Sequence, residues 1–120
     1  SFGFIGYTFA HGMGPHGGQL VDIPPYHLEF QVMPGMLHIY VIDKDKNALP
    51  LEGKATGKLI LQMPDGTKKS LDLEVKGDNF IANADVKPEV PFTAIATVQM
   101  DGHAYTARYA NASTHEKPAK

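Results

Sequence analysis

The sequence predicts an all-β, antiparallel fold, and three observations point to it. Apolar residues recur at every second position in short runs, as in half-buried strands, and no window of about a dozen residues keeps helical spacing without a Gly or Pro breaking it. The runs are separated by turn sequences such as Pro34-Gly35, Pro64-Asp65-Gly66 and Asp101-Gly102. Each run can fold back on the one before it, which favours a sandwich or barrel over parallel crossover units. Because each run has a single apolar face, the expected architecture is a two-sheet, immunoglobulin-like β-sandwich of seven or eight strands. The Cys-Trp-Cys hallmark of true immunoglobulin domains is missing, since the chain has no cysteine and no tryptophan.

Taken in order, QLVDI (19–23) is the first strand and Pro24-Pro25 ends it. YHLEFQVM (26–33) alternates with Tyr26, Leu28, Phe30 and Val32 on one face and His27, Glu29 and Gln31 on the other. Pro34-Gly35 turns the chain into MLHIYVID (36–43), where Leu37, Ile39 and Val41 continue the apolar face. A charged loop, KDKNALPLEGK, separates this hairpin from GKLILQM (57–63) and SLDLEVK (70–76). GDN (77–79) turns into FIANA (80–84), and after DVKPEVP come FTAIATVQM (92–100) and HAYTARYA (103–110), joined by Asp101-Gly102. The expected core is Leu28, Phe30, Ile39, Val41, Leu59, Leu61, Leu71, Leu73, Val98 and Tyr105.

The 120 residues suit one domain, and the apolar and charged fractions, 42% and 20%, are those of a globular chain. Residues 1–10, SFGFIGYTFA, are uncharged and end in a small residue, as a secretory signal does before its cut. They read as a signal remnant or as an N-terminal strand over Phe2–Phe9. Residues 11–18 form a His/Met/Gly segment, 19–110 the sandwich, and 111–120 a polar tail. A net charge of −2 offers no basic footprint for nucleic acid, and no run is long enough for a membrane helix, so no insertion is expected once a signal is removed.

Catalysis finds little support. Ser1, Ser70 and Ser113 sit at a terminus, beside a turn and in the tail, none on a strand-to-helix elbow. Asp72 and Glu74 share the solvent face of one strand, and no helix follows Gly17-Gly18 to cradle a phosphate. The chain is expected not to be an enzyme.

Histidine and methionine are more informative. AHGMGPHGGQ (10–19) holds two histidines, a methionine and four glycines without a charge. Pairing across Pro34-Gly35 sets Met33 opposite Met36, Gln31 opposite His38 and Glu29 opposite Tyr40. His27, Glu29, Gln31, Met33, Met36 and His38 therefore share the face away from the core. If every connection reverses direction, the first strand begins at the pole of the Pro34-Gly35 and Pro64-Asp65-Gly66 turns. His11, Met13 and His16 then approach Met33, Met36 and Met63. With no cysteine, a metal falls to His, Met, Asp or Glu, and imidazole with thioether suits copper, with zinc or nickel as further candidates. The expected ligands are His11, Met13, His16, Met33 and Met36, with His27 and His38 on the adjoining face. Without metal, the glycine-rich segment is expected to hold no conformation of its own. Taken singly, each of these residues also has a plain reading as surface or rim.

GPHGGQLVDIPPYHLEFQV followed by GMLHIYVIDKDKNALPLEGKATGKLIL resembles small bacterial periplasmic β-sandwich proteins associated with heavy metals. Similar segments occur in the N-terminal sandwich regions of periplasmic adaptor subunits of heavy-metal efflux pumps. The likeness covers residues 11–110, and its distinctive parts are His16-Gly17-Gly18 and Tyr26-His27-Leu28-Glu29. It implies a periplasmic location and a metal-related role, with His16 and His27 at the matching motif positions. Copper-resistance sandwich proteins with an N-terminal histidine fit less well, because their longer Met-rich loop is missing. The tryptophan of the periplasmic copper and silver chaperones is missing too. The expectation is a periplasmic protein that sequesters or delivers a transition metal. The alternative is an interaction module that docks onto an efflux adaptor or another envelope protein.

Overall fold

The computed structural model describes residues 12–111, and all their regular structure is strand. The strands are β1 (Gln19–Ile23), β2 (Tyr26–Met33), β3 (Met36–Ile42), β4 (Ala55–Gln62), β5 (Lys68–Lys76), β6 (Asn79–Asn83), β7 (Thr93–Met100) and β8 (His103–Ala110). Every pairing is antiparallel, in the order β1-β2-β3-β6-β5-β4-β7-β8. The all-β class and the strand sequence expected from the alternating pattern are both found. β4 and β5 begin two residues earlier than the pattern suggests, because Ala55, Thr56, Lys68 and Lys69 extend ladders whose apolar content had marked only the middle.

The hydrogen bonding draws no line between two sheets. β5 pairs with β4 through Lys68–Leu73 and with β6 through Glu74–Lys76, so one strand joins both halves of a nearly closed, barrel-like sheet. Alternation tells which face of a strand is buried, and a curled sheet buries its inner face as two facing sheets do. Among the described residues β1 and β8 are the edge strands, and they come close to one another without forming a ladder.

The inner face holds the core. Leu28, Phe30, Ile39, Val41, Leu59, Leu61, Leu73 and Val98 are buried as expected, while Leu71 and Tyr105 are half-buried against them. Tyr105 stands on the edge strand β8, where its ring meets Tyr26 edge-on at 5.8 Å. Across the seam Phe30 of β2 stacks on Tyr109 of β8, with centroids 4.7 Å apart and planes within 2°.

Burial pushes the Tyr109 phenol up to about 12. The unfolded chain ionises this phenol near 10 and the folded chain only two units higher. The stability that its neutral form supplies is therefore complete below pH 10 and is lost as pH rises toward 12. An alkaline unfolding transition is expected in that window, and Tyr109→Phe should move it upward while leaving stability at pH 7 within about 1 kcal/mol. Urea unfolding at pH 7, 10 and 11 checks this; equal pH dependence in the two proteins would refute it.

Antiparallel pairing places the Pro34-Gly35 turn, the 64–66 turn, the start of β1 and the end of β8 at one pole. That pole is stitched across its loops. Gly35 N–H donates to the Val86 carbonyl at 2.8 Å, and Ala84 N–H donates to the Gly35 carbonyl at 3.2 Å. The buried Asn111 side chain accepts from Phe92 N–H at 3.0 Å and donates to the Val90 carbonyl at 2.7 Å. Any ligand placed at this pole therefore stands on a connected base.

Candidate functional site

Residues 12–18 of the glycine-rich segment form a hydrogen-bonded turn. Met13 bridges to Gln19, and between them the chain turns, with Gly14 N–H donating to the Gly18 carbonyl at 2.7 Å and Gly17 N–H to the Gly14 carbonyl at 3.0 Å. Gly12 and Gly17 lie at φ 92° and 83°, where a side chain would be strained. Gly14 and Gly18 serve another purpose: a Cβ on Gly14 would strike the Glu29 carboxyl, and one on Gly18 the Phe30 carbonyl. Gly12 thus leads into the turn and Gly17 forms part of it, while Gly14 and Gly18 let it lie flat on the outer face of β2.

Glu29 is what the turn lies on. Its parity is the outward one, as expected, but it is fully buried rather than solvent-facing, because residues 14–18 cover it. Its carboxylate accepts the backbone N–H groups of His16 and Gly18 on Oε2, each at 2.8 Å. The His16 imidazole donates from Nδ1 to Oε1 at 2.8 Å, a carboxylate being an acceptor only. Three donors satisfy a charge that would otherwise be costly to bury. Gln31 closes the arrangement by donating from Nε2 to the His16 carbonyl at 2.9 Å. The two motif halves His16-Gly17-Gly18 and Tyr26-His27-Leu28-Glu29 are thereby joined in space through Glu29.

Tyr40, opposite Glu29 in the β2–β3 register, extends the cluster. The His16 ring lies flat on it, with centroids 3.6 Å apart and planes within 4°. Burial, followed by the charges of Asp78 and Glu29, raises the Tyr40 phenol above its usual range, so it stays neutral beside the carboxylate. His38 stands next along β3, its ring 6.4 Å from that of Tyr40 and 15° from parallel. Its Nδ1 meets Asn79 Oδ1 at 3.1 Å. The Asn79 amide is itself oriented, since Nδ2 donates to the Lys76 carbonyl at 3.1 Å and to Asp78 Oδ1 at 3.2 Å. Oδ1 therefore faces His38 as an acceptor and Nδ1 carries a proton, so in the neutral ring the free lone pair lies on Nε2.

The expected ligands are only partly brought together. Met33 pairs with Met36 across the Pro34-Gly35 turn, and His38 pairs with Gln31, as the sequence register required. Met33 is exposed, whereas Met36 and His38 are half-buried. Met13 is 72% exposed and His16 is turned onto Glu29 and Tyr40. Met63 packs against the core. His27 lies at the other end of β2, where Nε2 meets Asp22 Oδ1 at 2.6 Å. His11 lies outside the described residues. Among the described residues no three of His, Asp and Glu stand together as one metal-holding group.

Sequence reasoning missed Tyr40 and Asn79. The register already put Tyr40 opposite Glu29, and that was the available signal; nothing in the local sequence pairs Asn79 with a histidine on β3.

No family model, curated protein or solved structure matches the chain.

Proposed function

We propose that the chain is a non-catalytic, periplasmic metal-binding protein that sequesters or delivers a transition metal, copper ahead of zinc or nickel. The observation that carries this reading is the outer face at one pole, where Met33, Met36 and His38 stand together. Met33 and Met36 belong to neither the core nor its margin, unlike Met63 and Met100. The oriented imidazole of His38 supports the same conclusion. In this reading the curled sheet corresponds to two facing, immunoglobulin-like layers, β1-β2-β3-β6 and β4-β7-β8, with β5 crossing between them.

The test is a copper titration of the full chain, under oxidising and reducing conditions, followed by the NMR resonances of its histidines and methionines. Saturable shifts should be confined to the Met33 and Met36 pole and leave His27 and His103 unmoved. Shifts spread evenly over all histidines would refute the reading. The edge strands β1 and β8, unpaired among the described residues, favour a second function, docking onto an efflux adaptor or other envelope protein. That function would show as binding without any metal response.

A further inference from the structure

We propose that the bound ion is a soft monovalent cation, Cu(I) or Ag(I), held by the thioethers of Met33 and Met36 and by Nε2 of His38. This rests on the metal-binding reading above and narrows it to one ligand set and one charge class.

The placement follows from register. Met33 and Met36 face each other directly across the hairpin, which puts their Cβ atoms about 4.5–5.5 Å apart. His38 is two residues beyond Met36, hence on the same face of β3. A methionine side chain has three rotatable bonds, so two sulfurs starting from such a pair can close on one ion beside the imidazole. The turn between them is braced by the Gly35 bonds to Val86 and Ala84, so the hairpin end need not reorganise.

The chemistry follows from the donors. Two neutral thioethers and one neutral imidazole form a soft set with no carboxylate, which suits Cu(I) and Ag(I) and serves Zn(II) poorly. Asn79 acts here as a metal site's orienting partner does: by accepting from Nδ1–H it fixes the His38 tautomer and leaves the Nε2 lone pair for the ion. Glu29, which holds His16, lies four residues below Met33, roughly 13 Å along the strand. His16 is thus a fastening for the 12–18 turn and not a ligand. His27 lies further away still, committed to Asp22.

The experiment measures affinity of the full chain for Ag(I), and for Cu(I) under anaerobic competition with a chromophoric Cu(I) chelator. Met33→Leu/Met36→Leu should weaken binding by about 100-fold or more, two of three ligands being lost. Asn79→Ala should weaken it by about 10-fold through the His38 orientation. Circular dichroism and the melting midpoint should not move in the double variant, because neither methionine packs on the core. His16→Gln should leave Ag(I) affinity unchanged. If the double variant binds Ag(I) and Cu(I) as tightly as the unaltered chain, or if Zn(II) binds more tightly than either, this ligand set is refuted while a metal-binding function stands. If the unaltered chain binds none of Cu(I), Ag(I), Cu(II) or Zn(II), the functional reading falls and this inference with it.

Discussion

Replacing Glu29 with alanine should destabilise the protein by about 3–5 kcal/mol, since each buried donor left without its acceptor costs about 1–3 kcal/mol. The carboxylate is fully buried, and three N–H donors from His16 and Gly18 would lose their acceptor together. The void would also uncouple residues 12–18 from β2, since Gly14 and Gly18 pack directly against this side chain. Glu29→Gln is the informative companion. It keeps the shape and one acceptor oxygen but presents a donor where Nδ1–H of His16 points, so a smaller cost of about 1–3 kcal/mol is expected. Urea unfolding gives both values, and hydrogen exchange at Gly18 reports the segment locally. A loss below about 1 kcal/mol for Glu29→Ala would mean that the turn is held by its own hydrogen bonds instead.

Phe30→Ala is expected to cost a similar amount, about 3–5 kcal/mol, for a different reason. The ring is buried and stacks on Tyr109 across the seam beside β8, where the described residues form no ladder. Cutting it back removes apolar burial and also one of the aromatic contacts between β2 and the edge strand β8. Amides of β1 and β8 should then exchange faster than those of β4 and β7. Uniform loss of protection across all strands would contradict this local role.

How much of this was legible in the sequence depends on the residue. The β2–β3 register was readable in full, because Pro34-Gly35 fixes the turn and alternation fixes the faces. Leu28, Phe30, Ile39 and Val41 follow from the same pattern. Glu29 was placed on the correct face but given the wrong environment. Alternation reports which way a side chain leaves the sheet, and only the tertiary path of residues 14–18 decides whether water remains there. The four glycines illustrate the same limit: a glycine demanded by positive φ and one demanded by close packing look identical as letters. The change of partner along β5 leaves no mark either, since Leu71, Leu73 and Val75 alternate smoothly through it. His16 and His38 could be named as chemistry-bearing, but their partners Glu29 and Asn79 come from elsewhere in the chain.

Gly12, ahead of β1, and Asn111, just past β8, line one and the same groove beside Phe30 and Tyr109. The groove thus runs over the gap between the two edge strands, and the Phe30–Tyr109 stack does there, by packing alone, what a hydrogen-bonded ladder does elsewhere in the sheet.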